Sequence, residues 1–281
     1  MSDAPAAQSG ELAVGSSVVN RMGFGAMRIT GTGIWGEPAD PDNAHRVLRR
    51  AGELGVNFID TAYAYGPETS ERLIGEALHP YPDDLVVATK TGLQRTGPNQ
   101  WHSDARPEVI RRECERSLEL LRTDTIDLYQ LHAPDPAVPI EESLGTIAEL
   151  QTEGKVRLIG VSNVNAEQLR RAQAVTDIVS VQNRANFGDR SSDEVLAICE
   201  RDGIAFLPWA PLGAGDLTRA QNLEAIAAEH GATTGQVALA WLLARSPVML
   251  PIPGTASVEH LEENVAAAAL RLSTDEVAQL T

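Results

Sequence analysis

The 281-residue sequence is poor in cysteine, short of basic residues and free of long apolar runs, and each shortage excludes a class of protein. Its two cysteines, Cys114 and Cys199, lie far apart within helical patterns, which rules out a disulfide framework or a CxxC-type metal site. Both read as small apolar fillers. No stretch approaches the ~20 uninterrupted apolar residues of a membrane span. The first ten residues, MSDAPAAQSG, lack the basic start and apolar run of a signal peptide. They read as a flexible tail, and the expected location is the cytoplasm. Only 23 Lys and Arg face 39 Asp and Glu, a net charge of −16. Such a field repels nucleic acid and anionic membrane, so neither is an expected partner. It also repels any phosphate-bearing ligand, which local donors must then capture.

What is present is ordinary globular composition, 43% hydrophobic and 22% charged. Length alone allows one large domain or two. Short runs rich in Val, Ile and Phe fall at 22–27, 56–60, 85–89, 127–132, 157–161, 178–182, 205–209 and 249–252. Helical patterns separate them, at 42–54, 70–78, 107–121, 140–153, 166–174, 192–201, 222–230 with 234–244, and 257–268. The clearest is 107–121: Pro107 suits a first helical position, and Ile110, Cys114, Leu118 and Leu121 share one face. Eight strands alternating with helices, with no linker, predict a single (β/α)8 TIM barrel over 11–281. Ahead of it, 11–14 and 17–21 flank Gly15-Ser16, a hairpin signal placed to cap the barrel's N-terminal mouth.

The segment Gly31-Thr32-Gly33-Ile34-Trp35-Gly36 fits G-x-G-x-x-G, the dinucleotide fingerprint. That fingerprint works only where a strand ends and a helix starts at once, and here Glu37-Pro38-Ala39-Asp40-Pro41 follows instead. In a barrel these glycines lie in the loop after the first strand, at the catalytic rim. Met27 and Trp35 become candidates to line a substrate pocket, as does Trp101 in the long loop LQRTGPNQWHSDARP. Arg95 and His102 in that loop are candidates to meet an anionic substrate group.

Active sites in such barrels sit at the C-terminal ends of the strands. Those ends carry Asp60, Lys90, His132, Ser162-Asn163, Gln182 and Trp209. An acid, an ammonium, an imidazole and a nearby phenol at one mouth point to proton transfer. A class I aldolase would also keep a lysine at the end of a strand, so a Schiff-base lyase is the rival reading of Lys90, one that borohydride trapping would reveal.

The motifs MGFGAM, NFIDTAYAYG, ATKTG, IDLYQLH, KVRLIGVSN, PWAPLG and PIPGTASVEHLEENV resemble those of the aldo-keto reductase superfamily over nearly the whole chain. GAMRITGTGIWG is most similar to a bacterial branch associated with pyridoxal reduction. The resemblance implies a catalytic tetrad at Asp60, Tyr65, Lys90 and His132. Tyr63 is a local rival, but the family's tyrosine comes five residues after the aspartate and just before a glycine, which selects Tyr65 ahead of Gly66. A phenol with a pKa near ~10 needs neighbours that stabilise the phenolate, and Lys90 is expected to lower it.

By the same resemblance the cofactor is NADPH, with NADH possible. The implied contacts are Gly25, Ala26 and Met27 at the first strand, then Ser162, Asn163 and Gln182 at the carboxamide. Trp209 would stack on the nicotinamide, and Ala210, Leu212, Gly213 and Gly215 would lie along the pyrophosphate. Gly254, Thr255, Ser257, His260, Glu263 and Asn264 would serve the adenosine end. Many members carry Lys and Arg where this chain has Gly254 and His260. The implied activity is carbonyl reduction of a small molecule by a monomer. The superfamily also includes non-catalytic NADPH-binding channel subunits, which turnover of a generic aldehyde would separate from a reductase.

Overall fold

Residues 4–213 and 221–280 are described by a computed structural model. Among the described residues seven parallel strands pair in the order β11-β10-β9-β8-β5-β4-β3. They are β3 (Phe24–Gly25), β4 (Phe58–Asp60), β5 (Val86–Thr91), β8 (Ile126–Leu131), β9 (Val156–Ser162), β10 (Ser180–Arg184) and β11 (Ala205–Trp209). The remaining gap is closed by the extended segment 248–253. On one side Phe206 N–H donates to Val248 O (2.8 Å) and Leu250 N–H to Phe206 O (2.9 Å). On the other, Gly23 N–H donates to Pro251 O (2.9 Å) and Gly25 N–H to Pro253 O (3.3 Å). The eighth stave is therefore present but thinly paired, because Pro251 and Pro253 have no N–H to donate.

Helices α1 (Pro41–Glu53), α2 (Thr69–Leu78), α3 (Pro107–Leu121), α4 (Ile140–Thr152), α5 (Ala166–Gln173), α6 (Asp193–Asp202), α7 (Gln221–His230), α8 (Thr234–Arg245), α9 (Val258–Ala266) and α10 (Thr274–Leu280) surround the sheet. Local chemistry sets several starts. Asp40 accepts from Asn43 N–H ahead of α1, and Asn165 with Gln168 and Thr233 with Gln236 form reciprocal capping boxes at α5 and α8. Apolar faces of the helices pack on the outside of the strands, while Phe58, Val86, Leu128, Leu158, Leu207 and Leu250 form a separate inner core. Hairpin β1 (Glu11–Val14) and β2 (Ser17–Asn20) adds Val14 and Val19 to that inner core, plugging the N-terminal mouth as expected. Its turn needs Gly15, which has φ +57° and where a Cβ would meet Leu158 at 2.6 Å.

Three features depart from the sequence expectations. Residues 5–9 of the expected tail form a 3-10 turn, with Ala6 buried and its N–H donating to Leu54 O (2.9 Å). An alanine methyl is small enough to seat there, and so little apolar surface leaves no hydropathy signal. The long loop after β5 contains a second hairpin, β6 (Leu93–Gly97) and β7 (Gln100–Ser103). Finally, α10 follows the expected last helix and buries Leu280.

Both cysteine thiols are buried, and burial pushes each up to about 12. Two carboxyls behind β5 are also fully buried. Glu113 accepts from Thr91 Oγ1 (2.6 Å) and Gly92 N–H (3.1 Å), and Glu71 from Thr89 Oγ1 (2.5 Å). Burial pushes Glu71 up from an ordinary 4.5 to about 7. Below pH 4.5 folded and unfolded chains both hold this proton. Between 4.5 and 7 only the folded chain does, so stability falls as pH rises through that window and levels off above it. At ~1.4 kcal/mol per pH unit the loss is on the order of 3 kcal/mol. Glu71→Gln, which cannot titrate, is expected to flatten part of this slope between pH 4.5 and 7 in urea midpoints, Glu113 keeping its own share. An unchanged slope would contradict the assignment.

Candidate active site

Strand ends converge as the barrel predicts. Asp60 ends β4, Lys90 lies near the end of β5, and His132 directly follows β8. Lys90 Nζ donates to Asp60 Oδ2 (2.8 Å), Thr61 O (2.7 Å) and Tyr65 Oη (3.4 Å). All three hydrogens of the ammonium therefore have acceptors. Asp60 Oδ1 in turn accepts from Gln182 Nε2 (2.7 Å) and Gln130 Nε2 (3.4 Å). The ring of Tyr65 meets His132 edge-on at 5.8 Å and Trp101 at 6.4 Å.

Burial governs the electrostatics. It pulls Lys90 downward, but Asp60 and the phenol outweigh it and hold the ammonium above its usual value. Burial pushes the Tyr65 phenol up, and Lys90 opposes this without reversing it. The expected lowering by Lys90 is thus present as a contribution, but the net direction is upward because the oxygen is shut away from water. The phenol holds its proton at neutral pH. Burial, then Lys90, drives His132 well below the ordinary histidine range, so the imidazole is neutral. Its Nδ1 is buried without a hydrogen-bond partner among the described residues.

Tyr63 is turned away from this cluster. It donates to Glu68 Oε1 (3.2 Å), its phenol is pushed up to about 12 by burial and Glu68, and it does not line the cavity.

A cavity of about 540 Å³ opens at this rim. Of the residues singled out in the sequence, Gly25, Met27, Asp60, Tyr65, Trp101, His132, Ser162, Asn163, Gln182, Trp209, Ala210, Leu212 and Gly254 line it. Lys90 stands behind Tyr65, fully buried. Asn163 sits at φ +57° and binds within the protein, Nδ2 to His132 O (2.9 Å) and Ser162 Oγ (3.1 Å), Oδ1 from Trp209 Nε1 (3.0 Å). It braces Trp209, whose ring also carries the Arg184 guanidinium 5.5 Å from its centroid.

Other expected contacts lie elsewhere. Ala26 begins the 3-10 turn that follows β3 and is buried, its carbonyl accepting from Ser70 Oγ (3.3 Å). Gly213 closes a turn onto Ala210 O, and Gly215 falls outside the described residues. Ser257 caps α9 by accepting from His260 N–H (3.2 Å), and its own N–H donates to Thr255 Oγ1 (3.0 Å). Glu263 accepts from Thr233 Oγ1 (2.7 Å), tying α8 to α9, while Asn264 is buried beside it. Trp35 is not a cavity wall; it lies 5.8 Å from the Arg95 guanidinium. Arg95 is equally unavailable to an anionic substrate, since backbone carbonyls take its hydrogens, and His102 is exposed on the hairpin.

Sequence reasoning missed Arg28, Leu93, Pro211, Ile252 and Pro253, which also line the cavity. Arg28 had a readable signal: it is a cation one residue past Met27 in a chain of net charge −16. Leu93 begins the hairpin that the sequence did not reveal.

A family model described as the Aldo/keto reductase family matches residues 21–281. An uncharacterized oxidoreductase of Schizosaccharomyces pombe is 49% identical over 276 residues, covering 98% of this chain and 90% of its own. A pyridoxine 4-dehydrogenase of Escherichia coli is 42% identical over 279 residues, covering 97% of each chain. Among solved structures, a Klebsiella pneumoniae aldo-keto reductase in complex with NADPH superposes with a TM-score of 0.81 at 29% identity, over 94% of this chain and 90% of that one.

Proposed function

The chain belongs to the aldo/keto reductase family, and from that premise we propose that it is an NADPH-dependent reductase of small aldehydes or ketones, acting as a monomer, with Tyr65 as proton donor. The observation that carries this reading is the buried relay Asp60–Lys90–Tyr65, at 2.8 and 3.4 Å, opening onto one cavity. NADPH, when bound, supplies the hydride that becomes the new C–H bond. Tyr65 holds the proton that completes the O–H bond of the alcohol. As that proton leaves, the phenolate forms beside an ammonium already in place, whose charge needs no rearrangement to stabilise it. Asp60 keeps Lys90 charged and oriented. Neutral His132 lines the same cavity and serves as hydrogen-bond partner for the carbonyl oxygen.

The residues present fit a nicotinamide dinucleotide. Trp209 offers a flat ring fixed by Asn163, and Ser162 and Gln182 offer polar groups beside it. Arg28 and the capped N-terminus of α9 would meet the phosphates, which answers locally the repulsion expected from a chain of −16. Thr255, Ser257, His260, Glu263 and Asn264 would serve the adenosine end. The Schiff-base reading is disfavoured, because a lysine with all three donors engaged and its ammonium favoured is a poor amine nucleophile.

Because the E. coli relative is a pyridoxine 4-dehydrogenase, pyridoxal is the first carbonyl to test. NADPH oxidation is expected with pyridoxal at a higher kcat/KM than with a simple aldehyde. Titration with NADPH is expected to quench tryptophan emission, with most of the quench lost in Trp209→Leu. Equal or lower specificity for pyridoxal would remove that substrate. No oxidation with any aldehyde, despite NADPH binding, would leave a ligand-holding protein instead of a reductase.

A further inference from the structure

Two segments meet beside the catalytic rim, the Gly31-to-Gly36 loop and the β6/β7 hairpin whose Leu93 and Trp101 line the cavity, and one side chain joins both to the loop that carries Tyr65. Arg95, only 9% exposed, donates through Nε to Gln100 O (3.1 Å) and through Nη1 to Ile34 O (2.6 Å) and Ala64 O (3.3 Å). Its Nη2 donates to Gly33 O (2.8 Å) and Gly97 O (3.2 Å). Every one of these acceptors is a main-chain carbonyl, and among the described residues no carboxylate pairs with it. The guanidinium also lies 3.8 Å from the ring centroid of Trp101, its cross-strand partner in the hairpin.

The segments so joined need an anchor. A two-stranded hairpin is marginal by itself in water. Ile34 has φ +58°, a left-handed conformation that a β-branched residue resists. The planar fork meets carbonyls from three directions while its face supports an indole, and the charge cannot be lost. Lysine has three donors and no flat face, so it cannot substitute. The same indole reaches the chemistry: Trp101 lines the cavity, with ring centroids 6.4 Å from Tyr65 and 6.3 Å from His132.

We infer that Arg95 is a positioning residue that fixes the Trp101 wall beside Tyr65 and thereby limits the size of the carbonyl substrate. This inference rests on the reading of Tyr65 as proton donor. The test compares wild type, Arg95→Lys, Trp101→Ala and the double variant with benzaldehyde and 2-naphthaldehyde under NADPH. In R95K the KM for benzaldehyde is expected to rise about tenfold with kcat within ~3-fold, since positioning and not chemistry is lost. The kcat/KM ratio should shift toward 2-naphthaldehyde by roughly tenfold or more. W101A should produce the same shift, and the double variant should add at most about 2-fold to it, because both changes remove one wall.

Equal losses on both aldehydes, or multiplicative effects in the double variant, would overturn the inference. Should R95K not fold, Arg95→Gln is judged by the same criteria. A readout without turnover keeps the two readings apart: the difference in acrylamide quenching between proteins with and without Trp101→Phe isolates Trp101. That component should rise in R95K, and an unchanged value refutes the clamp. Wild-type protein inactive on both aldehydes and on pyridoxal, with that component raised in R95K, would instead overturn the proton-donor reading and keep the clamp.

Discussion

Tyr65→Phe is expected to lower kcat for aldehyde reduction by about 10³-fold, within the range that general acid catalysis contributes, while NADPH binding stays within ~2-fold of wild type. The change removes one oxygen and keeps the ring, so the edge contacts to His132 and Trp101 survive. Lys90 loses only its longest hydrogen bond, at 3.4 Å, and keeps Asp60 and Thr61. Any loss of rate is therefore a loss of the proton and not of the scaffold, worth about 4 kcal/mol of barrier. Steady-state turnover beside a fluorescence titration separates the two. Full turnover in this variant would end the assignment even with the barrel correct, and would move attention to His132, whose ring packs edge-on against Tyr65 in the same cavity.

The second large effect concerns stability as well as rate. Lys90→Met removes the buried cation and leaves Asp60, itself 2% exposed, with a charge and no opposing one. Removing one partner of such a pair costs about 3–5 kcal/mol. We expect that loss in urea unfolding, together with at least ~10²-fold lower kcat because the phenolate is no longer stabilised. The double variant Asp60→Asn/Lys90→Met should recover most of the stability, since an asparagine can still bond Gln182 and Gln130 without carrying charge. It should recover none of the activity. A double variant no more stable than K90M would mean that the stability lost with Lys90 is not the cost of leaving the Asp60 charge unpaired.

How much of this was legible beforehand differs by element. The α3 boundaries follow from Pro107 and the spacing of Ile110, Cys114, Leu118 and Leu121, and they coincide with the observed 107–121. The eighth stave was legible from its apolar run, but its weak pairing follows from two prolines that hydropathy does not weigh. The β6/β7 hairpin was not legible: LQRTGPNQWHS has no clear alternation, and what holds it is Arg95, whose partners lie up to 62 residues away. Reading Arg95 as a substrate contact failed for the same reason. An arginine in a polar loop looks solvated until its carbonyl partners are known. Trp35 stands against Arg95 and outside the cavity lining. A side chain on a rim loop can face the cavity or back onto the loop, and composition does not choose.

The sequence by itself determined the alternation of strands and helices, hence the barrel, and the identity of the groups at the strand ends, because both are encoded in local spacing. Only the tertiary structure decided which of those groups touch. Asp60 finds Lys90 across 30 residues and Gln182 across 122, and Tyr65 reaches that cluster while Tyr63, two residues away, turns to Glu68. It also decided the direction in which the phenol shifts, since withdrawal from water is a property of the closed fold and outweighs the neighbouring charge.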